Sequence, residues 1–153
     1  MDFPDRTFFV TTVTSRRTRH FQTDHAANLF VATLFHYRDQ GAFSLYEFVV
    51  MPDHVHLLLA PRATMSLENV MQYIKGGYSF RHGKATGSRA EIWERSFTNH
   101  HVRDWQDLEN HKRYIRLNPI RAGFCLEAEE FQYSSAHPGY VLDQLELRLK
   151  PAI

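Results

Sequence analysis

Two histidines separated by one residue, His54 and His56, stand at the head of an apolar run that continues through Leu57, Leu58 and Leu59. Side chains alternate faces along a strand, so in an extended segment both imidazoles leave one side of a sheet while Val55 points to the other. Two imidazoles so placed are half of a divalent-metal site. Histidines hydrogen-bonded inside a core are the competing reading, and the pair alone does not decide between them. His100 and His101, being adjacent, would point to opposite faces, and read as structural or DNA-facing groups rather than a second metal pair.

A second group of candidates lies on a helix that Asp104 caps, running through Trp105, Leu108, Lys112 and Ile115 until Asn118-Pro119 stops it. At about 100° per residue, Trp105, Leu108, Lys112 and Ile115 form the packed stripe, and His111, Tyr114 and Asn118 fall together on its flank. Tyr114 thus shares a face with a metal-capable amide one turn later. Read from the helix alone, it is an amphipathic side chain at a core boundary. Tyr78 is the rival nucleophile, but it stands near Gly76-Gly77 with no metal-capable partner close in sequence. Trp93, Phe97 and Trp105 read as core rather than as base-stacking platforms.

The elements that must position these groups follow from local patterning. Phe8 to Thr14 is aromatic and β-branched, as strands are. Thr23 or Asp24 caps a helix through Leu29, Phe30, Leu34 and Phe35, ended by Gly41. A strand from about Leu45 to Met51, a tight turn at Pro52-Asp53 and a return from His54 to Leu59 make a hairpin. Pro61 breaks it; Ser66 then caps a helix carrying Leu67, Val70, Met71 and Ile74, with Met65 and Val70 as a hydrophobic staple. The helical signal weakens at Gly76-Gly77, and His82 to Arg89 reads as a mobile polar loop. A strand is expected over Ile92 to Val102. After Gly123 only turns at Ser134-Ser135 and Pro138-Gly139 are indicated. The order predicts an α+β, ferredoxin-like βαββαβ sandwich, an antiparallel sheet with two helices on one face and an appended C-terminal helix carrying Tyr114.

At 153 residues the chain is long enough for one well-cored domain, with a core over about 8–135 and a tail over 136–153. A lone cysteine, Cys125, excludes an internal disulfide or a multi-cysteine zinc cluster and fits a reducing compartment. No apolar run approaches the roughly 18 residues of a membrane span, and Met1 to Arg6 is polar rather than signal-like. A cytoplasmic location is expected. The net charge of +1 advertises no partner, but Arg16, Arg17 and Arg19, then Lys75, Arg81 and Lys84, then Arg113, Arg116 and Arg121 are local basic clusters.

Three blocks in order resemble the single-tyrosine HUH transposases, the IS200-like family, and among them most nearly the REP-associated tyrosine transposases. They are Val50-Met51-Pro52-Asp53-His54-Val55-His56-Leu57-Leu58-Leu59, then Ile92-Trp93-Glu94-Arg95-Ser96-Phe97 with Val102-Arg103-Asp104, then Tyr114-Ile115-Arg116-Leu117-Asn118-Pro119-Ile120-Arg121-Ala122-Gly123. The likeness spans about Phe8 to Ser135. It implies that His54 and His56 bind a metal and that Tyr114 is the nucleophile. Asn118 stands where many relatives place a glutamine that completes the metal shell, a departure that shortens the reach of that amide.

The implied chemistry is cleavage of single-stranded DNA through a 5′-phosphotyrosine link that frees a 3′-hydroxyl, so that another strand can reverse the step. A phenol of pKa about 10 needs help to ionise at neutral pH. The resemblance implies Mg²⁺ or Mn²⁺; the imidazoles alone would also admit Zn²⁺ or Ni²⁺. It implies hairpin-bearing single-stranded DNA as partner, with Arg16, Arg17, Arg19, Lys75, Arg81 and Lys84 as candidate contacts, no membrane and no small-molecule cofactor. Relatives include dimers and monomers, and a homodimer is slightly favoured. Two other classes remain open at this point: a non-catalytic RNA- or DNA-binding ferredoxin-like module, and a metal-dependent phosphodiesterase that does not use the tyrosine.

Overall fold

The apolar stretch around the paired histidines folds as the central hairpin, β2 (Phe43–Met51) and β3 (His54–Pro61), turning at Pro52-Asp53. The computed structural model describes residues 6–145; the start of the polar N-terminal stretch and the tail from residue 146 onward lie outside these. Ahead of the hairpin come β1 (Phe8–Val13) and α1 (Asp24–Asp39), and after it α2 (Leu67–Thr86), β4 (Thr98–His101) and α3 (Trp105–Arg121). The strands form one antiparallel sheet in the order β2-β3-β1-β4. This is the expected βαββαβ sandwich with a helix appended.

Alternation along β3 divides the molecule. Val55, Leu57 and Leu59 enter the main core with Ala27, Phe30 and Leu34 of α1 and Val70, Met71 and Ile74 of α2. Leu58 faces the other way, packing with Val49, Met51 and Val102 against Leu108 and Ile115 of α3. His54 and His56 share the face of Leu58, so the appended helix covers the histidine side of the sheet. A bulge at Tyr46 shifts the β2 register between Leu45 and Glu47. It reverses which parity faces α1 and α2: Phe43 and Leu45 before it, Phe48 and Val50 after it.

Local caps hold where the sequence places them. The Thr23 hydroxyl accepts from the Ala26 amide, the Ser66 hydroxyl from Asn69 and the Asp104 carboxylate from Asp107. Three expectations are corrected. Helix α2 does not fade at Gly76-Gly77 but runs to Thr86, so the expected polar loop is largely helical, closed by Gly87 in the left-handed conformation at φ 76°. The reason is close packing, because a Cβ on Gly77 would meet the Tyr37 ring of α1 at 2.6 Å. Strand β4 is shorter than expected. Its forerunner leaves the ladder after Trp93 bridges Thr14, since the Trp93 side chain turns into the aromatic core beside Phe21 and Phe30. Helix α3 passes through Pro119 to Arg121. Proline removes only its own amide from the helix, and the last turn is closed by the amides of Ala122, Gly123 and Phe124.

The segment after α3 is more ordered than its composition suggests. Tyr133 and Ser135 bond the backbone of Val50 and Phe48, at 2.9 Å each, so this segment covers the free edge of β2. The Ser135 hydroxyl also donates to Glu47 at 2.8 Å, and Arg116 of α3 grips the same buried carboxylate through Nε and Nη2 at 3.2 and 2.9 Å. Sheet, tyrosine helix and tail therefore meet on one satisfied charge.

The two glycines of α2 separate close approach from helix propensity. Gly76→Ala, with open space around its Cβ, should stabilise the fold by about 0.5–1 kcal/mol. Gly77→Ala must push Tyr37 off its stack on Tyr73 and should be destabilising. Urea denaturation of the two variants measures both signs.

Candidate active site

The two imidazoles lie at the turn end of β3 with ring centroids 4.7 Å apart. Each is held by its Nδ1. His54 bonds Asp53 Oδ1 at 2.7 Å, and His56 bonds the Thr11 hydroxyl at 2.8 Å from the facing position on β1. Such contacts fix a ring's orientation and leave Nε2 as the free donor atom. His56 is buried, and its Nε2 has no hydrogen-bond partner among the described residues. Burial, reinforced by His54, lowers its pKa to about 3, so the ring is neutral and its lone pair available. Asp53, which burial alone would make harder to ionise, is held below its usual pKa by the His54 bond and charge and by Arg17, whose Nε lies 3.8 Å away.

Tyr114 stands beside this pair in the same chain. Its ring centroid is 5.3 Å from that of His56, and Phe9 packs against both, at 5.2 Å from His56 and 5.9 Å from Tyr114. The tyrosine is 42% exposed, open to an incoming strand. Asn118 lies one turn further along α3 and is half-buried. Tyr78 has the opposite character. It is fully buried, its hydroxyl is bonded to His20 at 2.6 Å, and burial raises its pKa further above the ordinary phenol value. An ionised Tyr78 reaching a DNA backbone is therefore disfavoured twice over.

A buried, neutral imidazole with an unpartnered nitrogen, next to a second imidazole anchored by a carboxylate, fits a divalent cation. The residues that would hold it are His54 and His56, with Asn118 as the further candidate.

The basic candidates are distributed unevenly. Arg16 and Arg17 both adopt left-handed backbone, φ 56° and 51°, in the connection after β1. The strain of such non-glycine positions persists only where neighbours impose it; here Arg16 N bonds Glu94 and Arg17 N bonds Thr14. Arg19 bonds Gln22. Lys75 caps the carbonyls of Glu94 and Ser96 at 2.9 and 3.2 Å and lies over Trp93. Arg81 is half-buried and Lys84 exposed over Phe80, both toward the end of α2.

The model of the family described as "Transposase IS200 like" matches residues 6–118, most of the chain and both the histidine pair and Tyr114. The chain belongs to the IS200-like transposase family. A Haemophilus influenzae protein provisionally named a REP-associated tyrosine transposase is 29% identical over 143 residues, covering 85% of this chain and 79% of that one. The Escherichia coli K12 REP-associated tyrosine transposase is 22% identical over 131 residues, covering 85% and 75%. A solved REP-associated tyrosine transposase bound to a REP hairpin superposes with a TM-score of 0.72 at 20% identity, over all of this chain and 95% of the other. The shared fold extends across the described transposase, and among its described residues no helix is long and apolar enough to cross a membrane.

Sequence reasoning missed Thr11, Phe9 and Asp53 as supports of the site. Asp53 was visible as the neighbour of His54, whereas Thr11 and Phe9 become neighbours only through the β1–β3 register. Replacing Thr11 with Val should weaken divalent-metal binding roughly 10–100-fold, because the ring of His56 loses its orienting partner. Calorimetric titration with Mn²⁺ measures it, and unchanged affinity would mean that the ring is held by packing alone.

Proposed function

We propose that this transposase cuts and rejoins single-stranded DNA at the ends of hairpin-bearing repeats or elements, with Tyr114 as nucleophile and His54 and His56 as metal ligands. The observation that carries the reading is the placement of Tyr114 against His56 within one chain. The phenol oxygen of Tyr114 attacks phosphorus, a P–O bond to tyrosine forms, the bond to the 3′-oxygen breaks, and that oxygen leaves as a 3′-hydroxyl. The phenol proton passes to solvent, which the exposure of the ring allows. A 3′-hydroxyl from the same or another strand reverses the step and releases Tyr114, so the bond energy is kept. His54 and His56 would hold a divalent cation, which when bound would supply Lewis-acid polarisation of the scissile phosphate. Phe9 packs on both Tyr114 and His56, which also touch each other, and so helps hold the tyrosine against that position.

The hairpin seen with the solved relative supports a structured DNA end as substrate. Arg16, Arg17 and Arg19 follow the end of β1 that faces His54, which supports a DNA contact there, whereas Lys75 spends its ammonium on the carbonyls of Glu94 and Ser96. Arg81 and Lys84 follow six and nine residues after Lys75 on α2, turned to other sides of that helix. An RNA-platform reading is disfavoured because both sheet faces carry helices. A phosphodiesterase that bypasses Tyr114 has no observation in its favour.

With Mn²⁺ and an end-labelled hairpin oligonucleotide, the wild-type chain should nick DNA and form a denaturation-resistant adduct. Tyr114→Phe and His56→Ala should each reduce it by at least 10³-fold, the scale of losing a nucleophile or its electrostatic partner. Nicking by Tyr114→Phe at the wild-type rate would instead identify a hydrolase. Binding of the same oligonucleotide should weaken with salt at a log–log slope of about −0.7 per phosphate contacted. Charge reversal at Arg16 and Arg19 should flatten that slope.

A further inference from the structure

Beyond the paired histidines, α3 carries a second set of metal-capable groups that the transposition chemistry does not use. His100 Nε2 on β4 lies 2.7 Å from Asp107 Oδ2, and His111 Nδ1, which bonds the Asp107 backbone carbonyl at 2.8 Å, lies 3.1 Å from Asp107 Oδ1. One ligand atom from each residue lies within 4.8 Å of the others. Asp107 and His111 are one helical turn apart and so share a face of α3, and the rings of His100 and His111 stack at 4.7 Å and 22°. The Arg103 amide also donates to Asp107 Oδ2 at 3.0 Å, orienting the carboxylate from behind.

We propose that His100, Asp107 and His111 form a second divalent-cation site that fastens the start of the tyrosine helix to edge strand β4. Two imidazoles and a carboxylate suit a borderline cation such as Zn²⁺ better than Mg²⁺. Ligands about 2.0–2.2 Å from a shared Zn²⁺ stand roughly 3.3 Å from one another in a tetrahedral site, and one ligand atom from each residue already lies within 4.8 Å of the others, so modest side-chain movement would close the set. A carboxylate in the first turn is favoured by the helix dipole alone, but the dipole gives no reason to gather two imidazoles on it. On binding, the proton of each coordinating nitrogen would move to the other nitrogen of its ring, the His100–Asp107 hydrogen bond giving way to metal–ligand bonds and His111 Nδ1 releasing the Asp107 backbone carbonyl.

The site is separate from His54 and His56. Neither His54 nor His56 belongs to the second set, and Phe9 packs against both groups, 5.2 Å from His56 and 4.6 Å from His111. A cation here would act on Tyr114 only by stiffening the helix that carries it three residues later. The inference therefore stands or falls independently of the catalytic reading.

The test uses the full chain with His54→Ala and His56→Ala, so that the paired histidines no longer bind metal. Equilibrium dialysis against Zn²⁺ should then still find one ion per chain, with a rise in Tm on adding Zn²⁺. Adding His100→Ala, at an exposed edge-strand position, should weaken that binding at least tenfold and abolish the shift; Asp107→Asn should do the same if the helix start survives it. Failure of the His54/His56 double variant to retain Zn²⁺ would overturn the proposal. So would retention indifferent to His100→Ala, which would place the ion on other histidines.

Discussion

The buried ring of His56 is the constraint on which the rest of the site depends. Its ring is buried and neutral, one nitrogen tied to Thr11 and the other without a partner among the described residues. Leaving a buried polar atom unsatisfied costs about 1–3 kcal/mol, and the surroundings that sustain it are rigid: the β1–β3 ladder, the Phe9 ring stacked on the imidazole, and α3 laid across the same face. His54 sits at the hairpin corner, more open and anchored to the turn by Asp53. The pair thus combines one fixed imidazole with one at the lip of the site, an arrangement suited to gripping a cation while leaving room for substrate oxygens.

Everything else about the site depends on where α3 docks. Leu108 and Ile115 give the helix its apolar footing on the histidine face, and the bidentate grip of Arg116 on buried Glu47, shared by Ser135, sets its rotation. Arg116 is two residues from Tyr114, so this charge pair fixes the direction in which the phenol leaves the helix. Tyr114, His54 and His56 lie together within one chain.

Much of this was legible in the sequence because the signals were local. The alternation of His54, Val55 and His56, the caps at Thr23, Ser66 and Asp104, and the flank shared by His111, Tyr114 and Asn118 are decided within a few residues. What escaped was decided by distant partners. Helix α2 runs through Gly76-Gly77 because Tyr37, on another helix, needs the space, and Pro119 stays helical because the amides after it close the last turn. The bulge at Tyr46 reverses the facing of β2, which strict alternation from Leu45 would misassign. Thr11, Phe9 and Glu47 acquire roles only once strands and helix meet, and the His100, Asp107 and His111 cluster joins an edge strand to a helix. His100 and His101 do lie on opposite faces of β4, but His100 finds its partners on α3 rather than on its own strand.

The central claim is that Tyr114, and no other group, takes the DNA strand. Peptide mapping by mass spectrometry of the wild-type chain, after reaction with Mn²⁺ and a hairpin oligonucleotide, tests it at the level of the atom that forms the bond. The account predicts a nucleotide attached through phosphate to Tyr114 in the peptide that begins after Arg113. A phosphonucleotide on Tyr78, on a histidine, or on no residue while DNA is cut, would contradict it.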